Sequence, residues 1–138
     1  MAKPRLKDFR SKFEYSVASD LWKRKIAFGY EVESFPFFLE MYRGECRECG
    51  SKDVVSSRSY TPDFFLPGGV VVEAKGKFTP KNRTRMLAFK ESNPGVDIRM
   101  LFMRNNWISS KKRSTYGDWC DKHGFPWSVG TVPKDWIK

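Results

Sequence analysis

Residues 60–76 read YTPDFFLPGGVVVEAKG, and three side chains in this stretch have the types and spacing that phosphodiester hydrolysis uses: Asp63, Glu73 and Lys75. Residues 60–66, rich in aromatic and apolar groups, read as one strand, 67–69 as a turn and 70–74 as a second, β-branched strand. Side chains two apart on a strand share a face, so Glu73 and Lys75 point together and Ala74 enters the opposite layer. The hairpin brings Asp63 back beside Glu73. Two carboxylates at one spot repel unless a cation lies between them, and hard oxygen ligands suit Mg²⁺ or Mn²⁺. Such an ion neutralises charge on the transition state and lowers the pKa of its water, while a neighbouring lysine orients the water or stabilises charge. The plainer alternative is a surface hairpin whose Glu73 and Lys75 form a same-face ion pair worth ~0–1 kcal/mol, with Asp63 capping a turn.

A third acid, Glu14, sits near the chain start. Ser11 and Glu14 have the spacing of a capping box, in which the glutamate reaches back to the helix start. Glu14 also shares a helical stripe with Val17, Ala18 and Leu21, which turns the carboxylate toward the sheet. A buried acid there needs a partner, and a cation at Asp63 and Glu73 would be one.

The order of Phe9-Arg10-Ser11 with Glu14, Tyr60-Thr61-Pro62-Asp63-Phe64, Glu73-Ala74-Lys75-Gly76, Asp97-Ile98-Arg99, Tyr116-Gly117, Cys120-Asp121-Lys122-His123-Gly124 and Trp136-Ile137-Lys138 runs through nearly the whole chain. It resembles the endonuclease I family of podophage Holliday-junction resolvases, within the PD-(D/E)xK nuclease superfamily. The resemblance implies an α/β fold with a central mixed sheet flanked by helices, and metal-dependent cleavage of four-way and other branched DNA. It implies a homodimer, domain-swapped so that Glu14 joins Asp63, Glu73 and Lys75 of the other chain. Asp63, Glu73 and Glu14 would then be metal ligands, with the Ala74 backbone carbonyl among them, and Lys75 the catalytic lysine. Two further readings stay open. One is a nicking or restriction-type PD-(D/E)xK nuclease on duplex DNA. The other is a non-catalytic, zinc-containing DNA-binding module, which leaves the acid and lysine spacing unexplained.

Charge agrees with a DNA partner: the 138 residues carry a formal net charge of +10, which favours polyanions and salt-sensitive binding. Basic residues concentrate at 3–10, 23–25, 75–85 and 111–113. The cluster directly after the hairpin makes Lys77, Lys81, Arg83 and Arg85, together with Arg10, the candidate phosphate contacts. An apolar fraction of 40% is sufficient for a core in one nuclease domain over residues 1–138. With no apolar run of membrane-spanning length and no signal peptide, the expected location is the cytoplasm, without membrane contact. Three cysteines in a reducing compartment argue against a disulfide framework.

Around these groups the pattern predicts a helix over 11–25, a strand over 28–35, a helix over 80–91 opened by Pro80, a buried strand over 96–103 and a short helix from 114 or 115 to Gly124. Residues 42–59 are polar and glycine-punctuated and read as a linker or bridging arm. Cys46 and Cys49 within it have the spacing of half a zinc knuckle, which Cys120 and His123 could complete. Free thiols, or completion by the same pair from a second subunit, are the alternatives. His123 reads as structural rather than as a general base, a place Lys75 already fills.

Overall fold

A computed structural model describes residues 2–42 and 53–138. The first helix, α1 (Lys12–Lys23), is capped by Ser11, whose Oγ accepts from the Glu14 N–H at 3.1 Å. Its buried stripe is Glu14, Val17, Ala18 and Leu21, as the 3.6-residue period requires. The helix stops where Lys25 turns left-handed at φ 57°.

The predicted strand over 28–35 forms as two pieces. β1 (Gly29–Tyr30) ends at once because Glu31 adopts a left-handed φ of 51°, a conformation few non-glycine residues take and one that the alternation of side chains does not announce. The chain then enters β2 (Phe35–Tyr42), which pairs antiparallel with β3 (Asp53–Tyr60) from Phe35↔Tyr60 to Tyr42↔Asp53. Much of the expected linker is thus strand. Its polar residues include Ser57, Arg58 and Ser59, which β3 exposes. The root of the ribbon is held by aromatic contacts: Phe35 and Tyr60 lie 5.8 and 4.9 Å from the Phe89 ring.

The predicted strand over 60–66 is also divided. Tyr60 closes β3, Asp63 sits in a bend, and only β4 (Phe64–Phe65) joins the sheet. β4 pairs antiparallel with β5 (Val70–Lys75), Phe64 opposite Val72. β5 then pairs in parallel with β6 (Asp97–Phe102), and β6 with β7 (Trp127–Val129). The five-stranded mixed sheet therefore runs β1-β4-β5-β6-β7, the central mixed sheet of the sequence-based expectation. β7 is an addition, in what reads as a tail.

Each face of the sheet carries its own core. Val17, Ala18 and Leu21 of α1 pack with Phe64, Val70, Val72, Ala74 and Leu101, while Trp136 closes the same layer. On the other face, α2 (Pro80–Ser92) and α3 (Tyr116–His123) place Met86, Phe89, Tyr116 and Cys120 on Val71, Ile98, Met100 and Phe102. Both crossovers, β5-α2-β6 and β6-α3-β7, lie on this one face, as connections of a single hand between successive parallel strands must. β5 is buried on both sides as far as Ala74, which accounts for its unbroken Val-Val-Val run.

α3 approaches β7 closely. A Cβ built on Gly117 would lie inside the contact distance of the Trp127 ring, and that ring is held by a 2.9 Å bond from its Nε1 to Asp121. Gly117→Ala should therefore lower stability by about 1–3 kcal/mol, visible as a fall in the urea midpoint with an unchanged slope. An unshifted midpoint would mean that helix and strand can separate freely.

Candidate active site

The hairpin β4–β5 brings Asp63 and Glu73 together by register. With Phe64 opposite Val72, the next pair outward is Asp63 and Glu73. The Ala74 N–H donates to Asp63 Oδ2 at 2.9 Å, fixing the carboxylate at the mouth of the hairpin. Ala74 itself belongs to the α1 side of the sheet. Lys75 comes up beside Glu73 at the strand end, half-buried.

Helix α1 delivers Glu14 to the same spot. Its Oε2 accepts from Ser11 Oγ at 2.8 Å and its Oε1 lies 3.4 Å from the Tyr30 hydroxyl. The cap and the site share Glu14: Ser11 Oγ accepts from its backbone N–H and donates to its carboxyl, which also faces Asp63. Within this one chain α1 docks on its own sheet, so the carboxylates meet without the exchange that the resemblance implies.

Sequence reasoning missed a fourth acid. Carboxylate oxygens of Glu14, Glu31 and Asp63 all lie within 4.8 Å of one another, a grouping able to hold a metal ion. Glu31 arrives there through its left-handed backbone, with its N–H bonded to the Asp63 carbonyl at 3.0 Å and its Oε1 2.8 Å from Arg10 Nε. Nothing in the spacing of residues 29–33 signals that turn; an acid directly after the aromatic end of a strand is the only trace.

Burial dominates the electrostatics. The Glu73 carboxyl is pushed up to about 8, chiefly by desolvation, with Lys75 pulling against it and Glu14 adding to it. Asp63 is likewise raised well above the ordinary carboxylate range, first by burial and then by its contact with the Glu14 carboxyl. The Tyr30 hydroxyl rises to about 12, mainly through burial, and so stays a phenol that can donate to Glu14. Glu73 Oε2 is buried without a hydrogen-bond partner among the described residues. An orphaned carboxylate oxygen beside three further carboxyl groups is a poor arrangement for a protein alone and a suitable one for a divalent cation, which would replace the protons.

The cleft around these groups has a volume of about 470 Å³ and is lined on its basic side by Arg10, Lys75 and Arg85. The other candidate phosphate contacts lie further out. Lys77 and Lys81 are exposed. Arg83 is turned inward instead, its Nη1 donating to the Phe78 carbonyl at 2.6 Å and its guanidinium 6.0 Å from the Phe78 ring.

The proposed zinc set divides. Cys46 and Cys49 lie outside the described residues. Cys120 is fully buried in the core, where desolvation pushes its thiol up to about 12. The His123 ring lies 4.6 Å from Trp119. Both serve α3 and the packing beneath it.

Buried acids, a lysine and a basic cleft are the equipment of a hydrolase that cuts nucleic acid, and comparison with known proteins reaches the same class. A family model described as phage endonuclease I matches residues 2–138. Endonuclease I of Escherichia phage T7 is 34% identical over 131 residues, covering 94% of this chain and 78% of that protein. Endodeoxyribonuclease 1 of Enterobacteria phage T3 is 32% identical over 131 residues, covering 94% and 77%. The chain belongs to the phage endonuclease I family and is an endonuclease.

Removing the charge of Glu31 tests its membership of the site. Glu31→Gln should leave DNA binding intact and raise the Mg²⁺ concentration needed for half-maximal cleavage by about 10–100-fold, the usual effect of losing a group that supports a metal site. An unchanged metal requirement would make Glu31 only a partner for Arg10.

Proposed function

We propose that the protein is a divalent-metal-dependent endodeoxyribonuclease that resolves four-way junctions and other branched DNA by paired strand cleavage. The observation that supports this best is the convergence of Asp63, Glu73 and Glu14 on the end of β5, where Lys75 and Arg85 supply positive charge and one carboxylate oxygen is buried without a partner. Asp63, Glu73 and Glu14 would hold Mg²⁺ or Mn²⁺, with the Ala74 carbonyl and Glu31 beside them. The bound ion would supply charge neutralisation at the scissile phosphate and a more acidic water.

The chain's own groups define the rest of the reaction. Lys75, on the same face as Glu73, holds the attacking water by a hydrogen bond from its ammonium group and opposes the charge that builds on the phosphate oxygens. Arg85 and Arg10, at the cleft rim, seat the flanking phosphates. The Ala74 N–H keeps Asp63 aimed at the metal position, and the Tyr30 hydroxyl does the same for Glu14.

Two cuts on opposed strands call for two sites, so the working form is a homodimer. Its Glu14 groups are exchanged, as the family resemblance implies; α1 then makes the same contacts on the sheet of the second copy. The ribbon β2–β3 is the connection between the α1–β1 part and the catalytic hairpin. A mixture of Glu14→Gln and Asp63→Asn subunits should regain nicking, because exchange gathers both lesions into one composite site and leaves the other intact. A hybrid that is confirmed to form and remains inactive would put α1 on its own sheet.

The functional test is cleavage of a four-way junction against a linear duplex of the same arm sequence, with Mg²⁺ and with EDTA. Paired cuts confined to the junction and abolished by EDTA are the expected result. Equal cutting of the duplex would instead favour a nicking or restriction-type enzyme. No helix among the described residues is long and apolar enough to cross a membrane.

A further inference from the structure

The loop that leaves β6 is basic, pinned and crowned by an exposed tryptophan, and the site described above does not use it. Residues 103–116 read MRNNWISSKKRSTY, with four cations and no acid. The loop begins against the catalytic strand: the Met103 N–H donates to the Lys75 carbonyl at 3.0 Å. It is not a slack connection. Trp107 bridges Thr115, the Ile108 N–H donates to the Ser114 carbonyl at 2.8 Å and the Tyr116 N–H to the Asn106 carbonyl at 2.9 Å. Asn105 Oδ1 accepts from the Gly117 N–H at 2.8 Å, and Ile108 packs on the core, anchoring the small hairpin to α3. At its tip the Lys112 N–H closes a turn on the Ser109 carbonyl, with Lys112 at φ 52°.

What this scaffold displays is unusual for a soluble surface. Trp107 is 49% exposed, and Arg104, Lys111, Lys112 and Arg113 form no ion pair among the described residues. A half-bare indole on a rigid backbone has no role in the core, and four cations around it repel one another unless a polyanion approaches. An aromatic platform flanked by cations is the combination that takes single-stranded nucleic acid: the ring stacks on a free base while the cations follow the phosphates. Trp107 lies four positions beyond Met103, a span of at most about 14 Å along the backbone, or about four base-pair steps of 3.4 Å. The loop that carries the ring thus starts at the strand end that carries Lys75.

We infer that Trp107 is a stacking platform for an unpaired base beside the cleavage site, with Lys111, Lys112 and Arg113 on the adjoining phosphates. This deepens the endodeoxyribonuclease reading and rests on it. A continuous duplex offers no free base face, whereas a bulge or an opened branch point does, so the loop gives the enzyme a reason to prefer interrupted DNA.

Binding is measured in EDTA, by fluorescence anisotropy, to a duplex carrying an unpaired bulge and to the same duplex without it. Trp107→Ala should weaken binding to the bulged duplex by about 10–100-fold and binding to the plain duplex by less than about 2-fold, while Trp107→Phe retains most of the affinity. Replacing Lys111, Lys112 and Arg113 together with alanine should weaken both duplexes alike and lower the slope of log affinity against log salt by about 2–3. Since Trp107 is exposed, an unchanged melting temperature is expected for its variants. Undiminished binding of the bulged duplex by Trp107→Ala, or an equal loss on both duplexes, overturns the platform. Failure of the wild-type protein to cut either DNA with Mg²⁺ would overturn the nuclease reading instead, leaving the binding comparison interpretable.

Discussion

Asp63→Asn and Glu73→Gln should each lower cleavage by at least about 10²–10³-fold while DNA binding is retained or tightened. The amide replacements keep the volume of the carboxyl groups, and an Asn oxygen can still accept the Ala74 N–H that Asp63 accepts at 2.9 Å, so the hairpin should fold. What disappears is negative charge at the cation position, and with it the electrostatic stabilisation that reaction at phosphate depends on. Binding moves the other way, since the carboxylates repel the phosphate that the basic cleft attracts. Lys75→Ala should lose cleavage similarly, without tighter binding. Single-turnover cleavage and anisotropy on the same preparations separate the two effects. Wild-type rates in any of these folded variants would remove that residue from the chemistry.

The metal-free protein should lose stability as pH rises from about 4 to about 8, and Mg²⁺ should restore it most strongly at the alkaline end. Glu73 has a folded pKa of about 8 against an ordinary 4.5, and Asp63 is raised for the same main reason, burial. Between those limits the folded chain holds protons that the unfolded chain has released. Its stability is therefore full below the unfolded pKa, falls through the window and levels off above the folded pKa. For Glu73 alone the shift sets a ceiling of about 5 kcal/mol. Divalent cations compete with those protons, so their stabilising effect should be small at pH 5 and large at pH 8. Urea unfolding across this range with and without Mg²⁺ measures both slopes, and Glu73→Gln should flatten them. A metal-free protein equally stable at pH 5 and pH 8 would contradict the buried-acid account.

Residue types and spacing made the centre of the molecule legible. The β-branched Val-Val-Val run read as a strand, the side-chain alternation put Glu73 and Lys75 together, and the stripe of Val17, Ala18 and Leu21 turned Glu14 inward. What escaped was the geometry of single residues. The left-handed turn at Glu31 cut a predicted strand and added a carboxylate. The ribbon β2–β3 reads as a linker because β3 contributes Ser56, Ser57, Arg58 and Ser59, a polar run without the alternation of a half-buried strand. β7 was hidden by its three-residue length, too short for any period to show. Arg83 and Lys77 look equivalent in a basic run, yet one caps a carbonyl and the other meets solvent.

The order in which the strands pair has a bearing on when the enzyme becomes active. Glu73 and Lys75 lie on β5, whose parallel neighbour β6 is supplied by residues 97–102 and is itself backed by β7 at 127–129. A chain emerging from the ribosome cannot complete that sheet until residues 127–129 have been made, because parallel partners wait for the whole crossover between them. Trp136, which closes the core under α1, is later still. Catalytic competence thus waits on segments far downstream of the acids and the lysine, and a fragment cut off before β6 should lack nuclease activity although it contains all of them.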